Sequence, residues 1–187
     1  LKVPINYSIV TNVDKEHLDF YKNFNILKEA FIEFIEKTPP IGKAFLCIDD
    51  PCIKKIIRKL KTKNYYTYGF DTKANYQIYN FKSTIDYTKF DLKIKNLGSK
   101  NVSINNISLK LIGKYNVLNA TAAIALCLNL GLKMKIIRKA LENFSGVQRR
   151  LTKVFKKNKI EFYDDYAHHP TEIKCVIEAF RKVAPLR

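Results

Sequence analysis

Between residues 75 and 113 the apolar positions recur at every second place, and on both sides of that stretch they recur at every third or fourth. A period of two buries one face of a strand, whereas a period near 3.6 buries one stripe of a helix. The chain must therefore mix the two elements, with a block of strands in its middle. "NYQIYNFKSTIDYTKFDLKIKNLGSKNVSINNISLKLIG" reads as three or four strands joined by polar turns, "NLGSKN" among them.

Upstream, "INYSIVT" (5–11) is a short β-branched run expected to form a buried strand. In "FNILKEAFIEFIEK" (24–37) Phe24, Leu27, Phe31, Phe34 and Ile35 fall at helical spacing, and "TPP" ends the helix. "KAFLCI" (43–48) is the next strand, after which Asp50 as N-cap and Pro51 at the first helical position launch "CIKKIIRKL". Downstream, "YNVLNATAAIALCLNL" is expected to be a helix closed by Gly131, followed by a second helix, "MKIIRKALENF". This order predicts an α/β fold: a mostly parallel sheet flanked by helices, with the 75–113 block as an antiparallel β excursion. "SGVQRR" (145–150) reads as a linker. It divides a first domain, 1–144, from a segment, 145–187, in which a hairpin ("LTKVF" with "IEFYDD") and a helix from Pro170 begin something new.

The net charge of +17 raises the question of nucleic acid. The lysines are scattered along the whole chain beside abundant Ile, Asn, Tyr and Phe, a pattern that A/T-rich codon usage explains better than a phosphate-binding face. The densest patches, "KKIIRKLKTK" (54–63) and "KVFKKNK" (153–159), interleave charge as a solvated helix face and a hairpin do. A basic nucleic-acid-binding module is thus the less favoured class; it would lose affinity steeply with salt and ignore ATP. With 47% hydrophobic residues the chain can build a core. "NATAAIALCLNLGL" is interrupted by Asn119, Thr121, Asn129 and Gly131 and is too short to span a bilayer, so no membrane partner is expected. No charged-then-apolar leader opens the chain, and Cys47, Cys52, Cys127 and Cys175 form no CxxC pair. A cytoplasmic protein with reduced, buried thiols is expected. Nothing in the sequence speaks to oligomeric state.

Four segments gather the polar chemistry: "VTNVDKEHLDFY" (10–21), "GKYNVLNATAAIAL" (113–126), "FSGVQRRL" (144–151) and "DDYAHHPTEI" (164–173). In this order they resemble four consecutive motifs of the Mur ligases, and the resemblance covers nearly the whole chain. "DDYAHHPTEI" is the most specific of them and points to the branch that joins L-alanine to UDP-N-acetylmuramate. The resemblance implies that 1–144 belongs to the family's central ATP-binding domain and 145–187 to the start of its Rossmann-like C-terminal domain. It also implies an enzyme using ATP and Mg²⁺: a muramoyl carboxylate is activated as an acyl phosphate, which the amine of alanine attacks with release of phosphate. A related ligase that recycles a muramyl tripeptide is the alternative within the family.

By this resemblance His17 helps hold the magnesium ion, an unusual ligand for a cation that prefers oxygen. Asn116 and Asn119 open the helix that meets the nucleotide, and the Asn119 amide offers the donor and acceptor that suit the N6/N7 edge of adenine. Read without the family, an Asn at that place is a cap or makes a local backbone hydrogen bond. Arg149 and Arg150 stand in the linker, where guanidinium groups could reach ATP phosphates when the C-terminal domain closes. Asp165 is implied to accept from the ribose hydroxyls and His168 to face the reacting groups, with Asp164, Tyr166 and His169 shaping the turn. The family usually carries His where this chain has Tyr115. A zinc site at the His pair is disfavoured, because adjacent histidines rarely point to one metal and no third His or Cys stands at ligand spacing.

The family's phosphate-cradling "GTHGKT"-type loop has no counterpart in these residues; "IGKAF" (41–45) lacks a Ser or Thr after Lys43 and a glycine five positions before Gly42. The upstream acidic magnesium ligand, the domain that grips the UDP sugar and a later "HRFTR"-type segment are likewise not found. The expectation is that the activity belongs to a longer protein and that this chain, inactive alone, carries part of its active site.

Overall fold

The computed structural model describes residues 4–97, 100–158 and 160–183. Strand β1 (Tyr7–Val10) is followed by a single helical turn, α1 (Leu18–Tyr21), and by α2 (Phe24–Glu36). Then come β2 (Lys43–Cys47), α3 (Pro51–Ile57), β3 (Tyr65–Gly69), and three successive strands, β4 (Tyr76–Ser83), β5 (Thr88–Leu97) and β6 (Lys100–Leu109). Helices α4 (Lys114–Asn129) and α5 (Met134–Asn143), the hairpin β7 (Thr152–Lys157) with β8 (Ile160–Asp164), and α6 (Pro170–Val183) complete the order.

Six strands form one sheet in sequence order, β1 to β6, and β7 with β8 forms a separate two-stranded sheet. The pairs β1–β2, β2–β3 and β3–β4 are parallel. Between β4 and β5 the side-chain pairs Ser83–Thr88 and Asn80–Asp91 run in opposite numerical directions, which is the mark of an antiparallel pair. β5 and β6 are hydrogen-bonded neighbours only two residues apart in the chain, a connection too short for a parallel crossover. The fold is thus the expected mostly parallel α/β sheet with an antiparallel excursion, and the alternating block resolves into three strands.

By compactness the chain separates into two units: residues 1–79, 92–104 and 118–132 in the first, and 80–91, 105–117 and 133–187 in the second. The first is built around β2, whose Ala44, Phe45 and Leu46 are completely buried. Ile35 of α2, Ile53 and Ile56 of α3, Tyr68, Tyr76 and the apolar face of α4 pack with them. The local signals act as anticipated. Asn23 caps α2 through its side chain, Asp50 accepts from the Ile53 amide at 2.7 Å with Pro51 at the helix start, and Gly131 takes a φ of 81° after α4. The basic run after Pro51 leaves Lys54, Lys55, Arg58 and Lys59 exposed while Ile53, Ile56 and Leu60 face inward, the solvated helix face read from the spacing. All four cysteines are free, but only Cys47 is buried, so the expectation of buried thiols holds for one of them; burial pushes that thiol up to about 11.

The passage from β3 to β4 was not legible, because a parallel neighbour ordinarily needs a long crossover and here only residues 70–75 intervene. Side chains replace the crossover. Asp49 accepts from the amides of Phe70 and Asp71, each at 3.0 Å, and the side-chain Oδ1 of Asn75 accepts from the Thr67 amide and hydroxyl at 2.8 and 2.9 Å. Gly69 adopts a φ of 150°, and a Cβ there would lie 2.4 Å from the Asp49 carboxylate that organises the turn. Gly69→Ala should therefore lower stability by about 2 to 4 kcal/mol through backbone strain and displacement of that carboxylate. The midpoint of urea unfolding should fall accordingly; an unshifted midpoint would show that the turn does not depend on this geometry.

Candidate active site

In the second unit the linker and the "DDYAHHPTEI" motif meet. Gly146, Arg149 and Leu151 have φ of 100°, 59° and 51°, and left-handed backbone at Arg and Leu persists only where neighbours hold it. The Arg149 carbonyl accepts from the Tyr166 amide at 2.7 Å. One carboxylate oxygen of Asp165 accepts from the Leu151 amide and the other from the Ala167 amide, both at 2.8 Å. Asp165 thus clamps the linker to the strand-to-helix turn that follows β8. Each carboxylate oxygen has a second acceptor site, so a hydroxyl could share it without breaking the clamp.

Arg149 lays its guanidinium over the Tyr166 ring at 4.8 Å and approaches Asp164 at 3.7 Å. Arg150 reaches the other way, with Nη1 donating to the Glu172 carboxylate at 3.2 Å. The two linker arginines therefore serve different partners, which a pair of solvated charges would not require. His168 is exposed, its ring edge-on to Tyr166 at 5.1 Å between centroids. Its Nδ1 lies 3.0 Å from the Tyr166 carbonyl; since a carbonyl only accepts, Nδ1 carries the proton in that bond and Nε2 is the other ring nitrogen. His169 is at the start of α6, where its carbonyl accepts from the Ile173 amide and its Nδ1 from the Thr171 amide. The neighbouring histidines diverge, one outward and one into the helix start.

Glu172 was not singled out in the sequence, although a Glu three residues after a helix N-cap was a readable signal. Its carboxylate accepts from Arg150, accepts from the His168 amide at 3.3 Å and stands 3.6 Å from His168 Nδ1. Burial tends to raise its pKa, but the His168 amide and the Arg150 guanidinium together outweigh burial and hold it below the usual value.

Asn116 and Tyr115 belong to the same unit. The Asn116 side chain donates to the Ile112 carbonyl at 2.8 Å, the local backbone bond open to an Asn at this position. Tyr115 is half-buried, and burial together with the Asp165 carboxylate pushes its phenol up to about 12 against the opposing effect of Asn116 and Arg150. It stays a neutral hydroxyl where an imidazole could become charged.

His17 and Asn119 belong to the first unit. His17 follows β1 in left-handed backbone, with a φ of 55°, and its carbonyl accepts from the Phe20 and Tyr21 amides that define α1. It is exposed in the loop beyond the carboxyl end of a parallel strand, where ligand sites open in such sheets. Among the described residues no group of three or more His, Cys, Asp or Glu side chains could hold a metal ion. His17 could serve Mg²⁺ as one ligand among others, since that cation is completed by oxygen donors. Asn119 is exposed on α4. The "IGK" segment is structural: the Gly42 amide donates to the Pro39 carbonyl, and a Cβ on Gly42 would collide with the Asn6 backbone oxygen.

Comparison with known proteins now decides the family. Residues 1–127 match the Mur ligase middle domain. This chain belongs to the Mur ligase family. It is 51% identical over 181 residues to the UDP-N-acetylmuramate–L-alanine ligase of Pelagibacter ubique, an alignment covering 97% of this chain and 39% of that protein. The ligase of the same name from Bartonella quintana is 40% identical, with 98% of this chain and 39% of that protein covered. Among solved structures, the UDP-N-acetylmuramate–alanine ligase of Thermotoga maritima superposes with a TM-score of 0.73 at 28% identity, over 96% of this chain and 39% of that one. MurF of Acinetobacter baumannii superposes with a TM-score of 0.80 at 23% identity, over 96% and 38%, a likeness of fold. The chain spans about two fifths of the length of these relatives. No helix among the described residues is long and apolar enough to cross a membrane.

The clamp makes a direct prediction. In Asp165→Ala the Leu151 and Ala167 amides should exchange with solvent at least about tenfold faster, because both lose their acceptor. Asp165→Asn, which keeps one carbonyl oxygen, should fall between wild type and Ala. Hydrogen exchange read by NMR decides it, and unchanged rates in Asp165→Ala would remove the clamp.

Proposed function

We propose that this chain is part of a UDP-N-acetylmuramate–L-alanine ligase of peptidoglycan precursor synthesis, acting in the cytoplasm. The observation that carries the reading is the 51% identity to a ligase of that name across nearly the whole chain. We assign 1–144 to the central ATP-binding domain and 145–187 to the linker and the start of the C-terminal domain. The substrates are UDP-N-acetylmuramate, L-alanine and ATP. ATP with Mg²⁺ supplies the phosphoryl group that activates the muramoyl carboxylate as an acyl phosphate, and the alanine amine then displaces phosphate to leave the amide.

The roles of this chain's residues are binding and orientation. Asn119 offers its planar amide to the adenine edge, and Asn116, bonded to Ile112, fixes the first turn of the same helix. Asp165 accepts from ribose hydroxyls through the positions its two backbone donors leave open. Arg149 and Arg150 supply guanidinium charge to the phosphate chain, with Arg149 held over the Tyr166 ring. His17 contributes a ligand to Mg²⁺. His168, projecting from the turn, faces the reacting carboxyl and amine and either moves a proton or steadies developing charge there.

Steady-state kinetics of a full-length ligase carrying this segment test the assignment. Asn119→Ala should raise the KM for ATP well above any change in that for L-alanine, a loss of about 1 to 3 kcal/mol, because the lost hydrogen bonds act in ground and transition states alike. His168→Ala should lower kcat by roughly ten- to a thousandfold. His169→Ala should be far milder, in keeping with its place in the helix start. Absence of alanine-dependent phosphate release from the full-length wild type would overturn the function, and equal small effects at both histidines would overturn the role of His168.

A further inference from the structure

We propose that Glu172 is a positioning residue that seats the linker guanidinium of Arg150 and the imidazole of His168 on one carboxylate. The inference rests on the function proposed above. Oε1 lies 3.2 Å from Arg150 Nη1, while Oε2 accepts from the His168 amide at 3.3 Å and stands 3.6 Å from His168 Nδ1. Of the three side chains, Glu172 is the most covered, at 30% exposure against 49% for Arg150 and 69% for His168. It is also the one fixed to a helix, in the first turn of α6 behind Pro170. Helix α6 is itself held by burial of Ala179 and by the edge-to-face contact of Phe180 with Tyr163 on β8, at 4.7 Å. The fixed member of the trio is therefore the carboxylate, and the groups it holds are the two with assigned work.

A helix cap alone needs one oxygen accepting from backbone. The second oxygen of Glu172 is directed to a residue twenty-two positions earlier, in the linker. Partly exposed ion pairs add little to stability, so orientation is the better account of this geometry. The surrounding charges do not compete for it. Arg149 is directed to Tyr166 and Asp164, Asp165 is engaged by two backbone amides, and Lys174 pairs with Glu178 one turn along α6. Arg150 donates to Glu172 through Nη1, and the other N–H groups of its guanidinium remain to reach phosphate oxygens while the carboxylate holds it.

Two variants and two readouts test this. Glu172→Gln keeps an oxygen for the His168 amide and removes the charge; Glu172→Ala removes both. Hydrogen exchange of the His168 amide in this chain should quicken at least about tenfold in Glu172→Ala and much less in Glu172→Gln, because only the Ala variant removes its acceptor. That readout needs no ligase activity, so it stands or falls apart from the function. In a full-length active ligase, Glu172→Gln should lower kcat by roughly tenfold, with a smaller rise in the KM for ATP and a thermal midpoint near that of wild type. A role confined to capping would be rescued by Gln. Unchanged His168 amide exchange in Glu172→Ala, or a wild-type kcat in Glu172→Gln, overturns the proposal.

Discussion

The carboxylate of Asp165 is the constraint on which the site depends. It binds the linker at Leu151 and the turn at Ala167, and with the Tyr166–Arg149 backbone bond it closes a small ring of contacts around residues that would otherwise be a loose connection. Left-handed backbone at Arg149 and Leu151 is unfavourable by itself and is sustained by this ring. Its consequence is directional. Arg149 is turned onto Tyr166 and Arg150 toward α6, so two consecutive arginines present their charge in different places.

Around that clamp the electrostatics are arranged in layers of exposure. Tyr115 is half-buried and stays a neutral phenol beside Asp165; Glu172 is partly covered and ionised; His168 is largely exposed. Tyr115 is a group that can be buried there without the cost of a charge. The gradient leaves the histidine the most exposed of the three, with an ionised carboxylate behind it.

Most of the fold was legible because its signals are local. Asp50–Pro51 and Gly131 marked helix ends, and the alternating block marked the antiparallel strands, since caps and periodicity act within a few residues. The β3–β4 return was not legible, because it relies on Asp49, over twenty positions before the amides it binds. The site divides the same way. The motif residues could be named from the sequence, but the Asp165 clamp and the Glu172 bridge each join residues 14 to 22 positions apart through unremarkable Asp and Glu side chains. Asn116 shows the converse, a residue whose simplest local hydrogen bond is the one the structure contains.

The central claim is that the clamped linker and motif form the nucleotide-binding part of a ligase. A crystal structure of a full-length ligase carrying this segment, with a non-hydrolysable ATP analogue and Mg²⁺, tests it most directly. The account predicts ribose hydroxyls on the Asp165 carboxylate, with its bonds to Leu151 and Ala167 retained, and the phosphate chain within reach of a linker guanidinium. A nucleotide bound with Asp165 and both arginines untouched would contradict it.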